Sequence, residues 1–250
     1  MSDTFTDKLR CGGTVIGSVL TLPSPEIAEI LSGSGFDFLI ADAEHSALDV
    51  SDVQRLLMAA RDGCPVLVRV PVLDGAWIKK YLDTGPDGII IPMVNSAESA
   101  KLAVRLCRYP PLGERSVGIA RAHDYGMSFG EYVANADERV AVIIQIEHID
   151  AVGHIHDILK VPGIDAVFIG PYDLSGSMGK IGRVNDDDVR SHVETVRNAC
   201  TEAGIPVGIY GIDAAAAKAL FSQGYSFVVT GMDAMFLWRS ARDITSFFNK

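Results

Sequence analysis

Cysteine is scarce: the 250 residues hold four, Cys11, Cys64, Cys107 and Cys200, and none stands in a CxxC pair. That is too few for a disulfide framework, and no pair has zinc-ligand spacing. Basic residues are also short. Lys and Arg number 22 against 32 Asp and Glu, a formal charge of −10. This balance argues against nucleic acid, whose phosphates need a basic face, and against an anionic membrane surface. It leaves room for a small anionic substrate, because a site can be locally positive on an acidic protein. The longest apolar runs, 88–94 and 141–146, are of strand length, far below the roughly 20 residues of a membrane helix. The opening MSDTFTDKLRCGG is polar and charged, unlike a signal peptide. A reduced cytoplasm is therefore the expected compartment. There is no Gly-rich dinucleotide fingerprint and no P-loop. No lysine stands at a strand end to form a Schiff base, and only two tryptophans are present, which disfavours a sugar-binding platform.

What is there is an alternation. Hydrophobic residues make up 48 % and charged ones 22 %, the composition of a globular chain. Short β-branched runs alternate with segments whose apolar residues recur at three and four. The expected strands are 14–20, 36–41, 65–70, 88–93, 140–146, 165–169, 205–210 and 225–230. Alternating strands and helices imply parallel pairing with right-handed crossovers. Every second strand is entered by similar punctuation: Gly35-Phe-Asp, Gly85-Pro-Asp, Gly163-Ile-Asp and Gly224-Tyr-Ser. Each glycine follows a helical segment, where a left-handed cap is wanted. A repeat every two units suits a closed barrel better than an open sheet. The expected fold is thus α/β, one (β/α)8 TIM barrel spanning residues 1–250. Barrels of about 250 residues form single units. The longest irregular stretch is 109–127, and a loop of that length in a compact domain is more often functional than idle.

In such barrels the chemistry sits at the C-terminal ends of the strands. Asp42, Glu44 and His45 follow the second strand; Arg69 lies within the third. Gln145 and Glu147 close the fifth, and Tyr172 and Asp173 follow the sixth. Arg69 either snorkels and pairs a structural carboxylate, or offers a planar fork to a substrate carboxylate. Glu147 and Asp173 end adjacent strands, about 4.8 Å apart. They can share one hard cation completed by water, or serve as loop caps. His45 is the best acid/base candidate, with Asp42 close enough to orient it. The apolar last helix, with Met235, Phe236, Trp238, Phe247 and Phe248, reads as core or subunit interface.

The segments FDFLIADAEH (36–45), LVRVP (67–71), IIIPMV (89–94), RYPPLGERSVG (108–118), VIIQIE (142–147) and VFIGPYDLS (167–175), in this order and spacing, resemble the HpcH/HpaI family of metal-dependent pyruvate aldolases. The resemblance runs from about residue 5 to 245. It implies a (β/α)8 barrel that cleaves a 4-hydroxy-2-oxo acid to pyruvate and an aldehyde. It implies a divalent metal (Mg2+, Mn2+ or Co2+) on Glu147 and Asp173, with Gln145 beside the pyruvate. Arg69 would bind the carboxylate, and His45 would be the acid/base group oriented by Asp42. Asp83 matches the carboxylate that a neighbouring subunit adds to that pair. Such enzymes are homohexamers, trimers of dimers with the last helix exchanged. Tyr172 and the Arg121–Tyr125 stretch of the 109–127 loop stand where relatives vary and are candidates for setting the acceptor. Some members perform citrate synthase-like or decarboxylative carbon–carbon bond formation instead, and a non-catalytic 2-oxo acid-binding barrel is a further alternative.

Overall fold

The computed structural model describes residues 5–10, 13–61 and 64–248; Cys11 lies outside them. In chain order the elements are α1 (Phe5–Arg10), β1 (Val15–Leu20), α2 (Pro25–Ser32), β2 (Phe38–Asp42), α3 (Val50–Ala59), β3 (Val66–Arg69), α4 (Gly75–Asp83), β4 (Gly88–Ile91) and α5 (Ala97–Cys107). There follow α6 (Phe129–Arg139), β5 (Ala141–Ile146), α7 (Ile149–Gly153), α8 (Ile155–Ile158), β6 (Ala166–Ile169), α9 (Pro171–Ser177), α10 (Asp187–Ala203), β7 (Val207–Gly211), α11 (Ala214–Ser222), β8 (Phe227–Met232) and α12 (Asp233–Ser246). All eight expected strands are present, within two residues of the expected bounds. They pair in parallel, each with the next, and β8 closes on β1. The protein is a (β/α)8 barrel.

Two apolar layers hold it. Outside, the sheet packs on the helices through residues such as Leu39, Val68, Ile89, Ile144 and Val228. Inside, the alternate residues Phe38, Ile40, Leu67, Ile143, Phe168 and Phe227 fill the barrel. Side chains alternate along a strand, so one strand feeds both layers. The first helix, α1, plugs the lower end: Phe5 meets Phe38 at 4.9 Å and Phe227 at 6.5 Å between ring centres. Gly17 and Gly208 leave room for these rings, since a Cβ at either would lie within 2.4 Å of Phe38 or Phe227.

The repeated punctuation has a physical basis. The four glycines take positive φ, from 81° to 94°. Gly85 and Gly224 directly follow the cap residues of α4 and α11, as expected; Gly35 and Gly163 sit farther along their turns. The aspartates that follow stitch neighbouring strands together. Asp37, Asp87 and Asp165 accept the backbone N–H of Ile16, Val66 and Val142 at 2.8–2.9 Å. At the opposite end, α3, α4, α5 and α11 start with side-chain caps from Asp49, Asp74, Ser96 and Asp213, each worth about 1 kcal/mol. Buried Asp233 accepts from Thr21 and from the N–H of Leu22, tying the end of β8 to that of β1.

The 109–127 stretch is ordered around Arg115. Its guanidinium lies over the Tyr109 ring at 4.5 Å and the Tyr132 ring at 5.6 Å. It also donates to the Tyr132 hydroxyl and to Asp83, both at 3.2 Å. The last helix departs from a core role. Phe236 stacks on Phe36, but from Leu237 onward α12 is exposed, including Trp238, Ile244 and Phe247. No helix among the described residues is long and apolar enough to cross a membrane.

Candidate active site

The period-two alternation that fills the barrel also builds the site. Counting inward positions upward gives Phe38, Ile40 and Asp42 on β2, and Leu67 and Arg69 on β3. On β5 it gives Ile143 and Gln145, with Glu147 one step beyond. The apolar interior therefore ends in a polar top layer.

Asp42 and Arg69 are register partners across β2 and β3. Arg69 donates from Nε to Asp42 Oδ1 at 2.9 Å and from Nη2 to Oδ2 at 2.7 Å, a bidentate fork. The side chains are 17 % and 4 % exposed. Burial works against the Arg69 charge, but the carboxylates of Asp42, Glu44 and Glu147 outweigh it and hold its pKa above the usual value. Burial likewise opposes the Asp42 charge. Arg69, with the N–H groups of His45 and Glu44, more than compensates and holds Asp42 below the carboxylate range.

Asp42 also bonds to the turn that follows β2. It accepts the backbone N–H of His45 at 3.3 Å and of Glu44 at 3.1 Å. Asp42 therefore shapes the turn that carries His45; its carboxylate is committed to Arg69 rather than to the imidazole. The His45 ring is 60 % exposed, with Nε2 3.8 Å from Glu44 Oε2. Asp83, the last residue of α4, pairs with Arg115 and not with His45 within the chain.

Glu147 is 2 % exposed. Its Oε1 accepts the N–H of Met93 at 2.8 Å, and its Oε2 accepts from Gln145 Nε2. Met93 holds a positive φ of 55° to make its bond, a conformation that costs a non-glycine residue roughly 1 kcal/mol or more. Gly170 is packed against the same carboxylate: a Cβ there would lie 2.8 Å from Glu147 Cβ and Oε2. Asp173 is not at a strand end as expected but in the first turn of α9. Burial raises the Glu147 carboxyl, Gln145 and Met93 oppose the rise, and the Asp173 charge adds to it. Burial pushes Glu44 up to about 7, with Arg69 opposing and Glu147, Asp42 and Asp173 adding.

Three carboxylates, Asp42, Glu44 and Glu147, thus act on one guanidinium, and a fourth, Asp173, adds its charge to Glu44 and Glu147. Gln145 Oε1 and Glu44 Oε2 are buried without a hydrogen-bond partner. Excess negative charge, an all-oxygen donor set and orphaned oxygens fit a hard divalent cation. Among the described residues no group of three or more His, Cys, Asp or Glu side chains stands ready to hold a metal. A Glu147–Asp173 pair would leave further positions to water and substrate oxygens, as Mg2+ sites commonly do.

A cavity of about 380 Å3 opens above this layer, lined by Asp42, Arg69, Gln145, Tyr172 and Asp173 among others. Tyr172, expected near the acceptor, does line it. No residue of 109–127 does; within one chain that loop packs on α4 and α6, and its His123 is buried in bonds to its own backbone. Tyr210, Ile212, Met235 and Arg239 take that place. Glu44, Tyr210 and Arg239 were not among the expected site residues. Glu44 stands in the same motif as His45, and Tyr210 is an inward position two residues after Gly208; Arg239, on a helix, carries no local signal.

Comparison with known proteins gives the same direction. The family model described as HpcH/HpaI aldolase/citrate lyase matches residues 17–240. The chain is 37 % identical over 248 residues to a hydroxypyruvate/pyruvate aldolase of Pseudomonas aeruginosa, covering 98 % of this chain and 92 % of that protein. It is 38 % identical over 251 residues to a 4-hydroxy-2-oxo-heptane-1,7-dioate aldolase of Klebsiella pneumoniae, covering 99 % and 94 %. The crystal structure of a family protein from Burkholderia cenocepacia superposes with a TM-score of 0.95 at 33 % identity, over 99 % of this chain and all of that one. Its fold, its polar top layer and these relatives agree: the chain belongs to the HpcH/HpaI aldolase/citrate lyase family.

Proposed function

We propose that this protein is a metal-dependent aldolase that reversibly cleaves a 4-hydroxy-2-oxo acid to pyruvate and an aldehyde. The observation that carries the reading is the Arg69–Asp42 fork set among Glu44, Glu147 and Asp173 beneath a cavity. The aldolase names of the relatives support the carbon–carbon lyase class.

Glu147 and Asp173 would hold a divalent cation, Mg2+, Mn2+ or Co2+. When bound, it supplies Lewis-acid polarisation of the 2-oxo group, typically worth several kcal/mol. Asp42 occupies Nε and Nη2 of Arg69. That leaves Nη1 for the substrate carboxylate and for the oxygen on which charge develops. Gln145 stands beside the pyruvate unit, and Tyr172 beside the acceptor. In cleavage His45 takes the C4 hydroxyl proton, the C3–C4 bond breaks, and the electron pair forms pyruvate enolate. A proton returned to C3 gives pyruvate. A positioned acid/base group contributes about 10²–10⁴ in rate. The exposed His45 ring is open to Asp83 from a second copy, a carboxylate that Arg115 keeps oriented.

Residues 1–250 form one barrel domain in this reading, and its copies assemble as a homo-oligomer, a hexamer built as a trimer of dimers. The outward run of α12, with Leu237, Trp238, Ile244, Phe247 and Phe248 exposed, supports exchange of that helix between subunits. A reduced cytoplasm suits Cys64, Cys107 and Cys200, which are buried and unpaired.

The test is proton exchange at pyruvate C3, followed by NMR in D2O with and without Mg2+, Mn2+ or Co2+. Metal-dependent loss of the methyl signal is expected, and the double variant Glu147→Gln with Asp173→Asn should lose it. No exchange with any of these cations, with or without an added aldehyde, overturns the reading.

A further inference from the structure

The cavity has two unlike halves. Asp42, Arg69 and Gln145, from β2, β3 and β5, make one of them polar. The other is built from β1, β6, β7 and β8, with Val19, Phe168 and Val229 in its wall. Among the described strand residues that line this second half, only Tyr210 carries a polar side-chain atom. Two features of the barrel hold that hydroxyl in place. Tyr210 stands two residues beyond Gly208, where the absence of a Cβ lets the Phe227 ring lie across β7. Phe227 stacks on Phe168 at 5.8 Å, and Tyr210 packs against this aromatic layer. The second feature is a bulge in β8. Gly17 and Val19 of β1 face Val229 and Met232, so β8 carries one residue more than β1 over this stretch. Gly231 within it takes a φ of 67°, and a Cβ there would lie 2.2 Å from the Phe236 ring. A bulge takes backbone groups out of the ladder and can re-aim them. Burial pushes the Tyr210 hydroxyl above its usual range, and the Gly231 N–H, which donates to its oxygen, opposes the rise. The hydroxyl therefore keeps its proton at neutral pH. No other side chain among the described residues bonds to it, so its hydrogen is free to be given to a ligand.

The aldolase reading, on which the next step rests, puts the 2-oxo acid in the polar half and the acceptor in the apolar half. Acceptors differ in their tails, but every one carries the aldehyde oxygen, which becomes the C4 hydroxyl oxygen of the aldol. One fixed donor on an apolar wall matches an atom that every acceptor carries. We infer that Tyr210 is a catalytic residue that donates a hydrogen bond to this oxygen. In the synthetic direction C3 of the enolate attacks the aldehyde carbon and the C3–C4 bond forms. The carbonyl π pair moves to the oxygen, which takes its proton from His45. Tyr210 transfers no proton; its bond strengthens as charge gathers on the oxygen. Cleavage is the reverse, with Tyr210 holding the oxygen while His45 removes its proton.

Tyr210→Phe removes the hydroxyl and keeps the ring. Two assays with Mg2+ separate the two halves of the cavity: deuterium exchange at pyruvate C3 without aldehyde, and addition of pyruvate to propanal or to glyceraldehyde. Tyr210→Phe should lower addition about 10- to 100-fold for both aldehydes alike, between an ordinary hydrogen bond and an oxyanion-hole donor, with exchange held within about twofold. The loss should fall on kcat more than on KM, because the bond is strongest in the transition state. Addition at the wild-type rate overturns the inference. So does a parallel loss of exchange and addition, which assigns Tyr210 to the pyruvate half or to the fold. A loss confined to glyceraldehyde also overturns it, since the hydroxyl then reads the acceptor's tail. A wild-type protein that catalyses neither exchange nor addition overturns the aldolase reading and this inference with it.

Discussion

Replacing Glu44 with glutamine should stabilise the metal-free protein at pH 8 and change little near pH 4.5. The Glu44 carboxyl rises from its usual 4.5 to about 7, chiefly through burial. One pKa unit corresponds to about 1.4 kcal/mol, which sets a ceiling of about 3 kcal/mol. Its side chain is still 12 % exposed, with Arg69 Nε 3.4 Å away, and solvent screening lowers the expected effect to about 1–2 kcal/mol. The sign follows from proton binding. Between pH 4.5 and about 7 the folded state keeps a proton that the unfolded chain has lost. The stability contributed by this proton is complete below about 4.5 and disappears as pH rises through about 7. Glutamine cannot ionise and escapes that loss. Urea unfolding in chelator, at steps from about pH 5 to about pH 8, gives the difference between variant and wild type. It should grow through neutrality and then level off, with a melting shift of roughly 2–4 °C per kcal/mol for a chain of this size. A difference that is flat with pH, or a variant less stable than wild type at pH 8, refutes the reasoning.

Arg69→Lys keeps a charge but cannot reproduce the two-point fork on Asp42. It should lower turnover by about 100-fold or more at a stability cost of about 1–3 kcal/mol, read from kcat and urea midpoints, and wild-type turnover would sink the assignment. Gly170→Ala puts a methyl 2.8 Å from the Glu147 carboxylate, at a φ of −102° that strains no backbone. The fold should survive while Mn2+ affinity by calorimetry falls about tenfold; unchanged affinity would argue against Glu147 as a metal ligand.

The barrel was largely legible because each strand carries its own local signals, a β-branched run with turn residues at its ends. Even the Gly-x-Asp repeat was visible, although its use was not. Asp37, Asp87 and Asp165 hold the N–H of a neighbouring strand, a partner that local sequence does not name. Tyr172 reaches the cavity. The 109–127 loop does not, because Arg115 folds it onto Tyr109, Tyr132 and Asp83. The last helix read as core or subunit interface on composition, and from Leu237 onward it is exposed.

The sequence by itself determined the alternation of elements, the parallel barrel and the placing of Asp42, Arg69 and Gln145 at or near strand ends, because these follow from periodicities of two and about 3.6 along the chain. Only the tertiary structure decided who pairs with whom. Asp42 is three residues from His45, and sequence proximity favours that pair. The β2–β3 register instead brings Arg69, 27 residues away, opposite Asp42. The rise of Glu44 and the arrival of Arg239 at the cavity are likewise properties of the closed barrel. Both depend on burial and on charges contributed by distant segments, and neither quantity is written in any local stretch of chain.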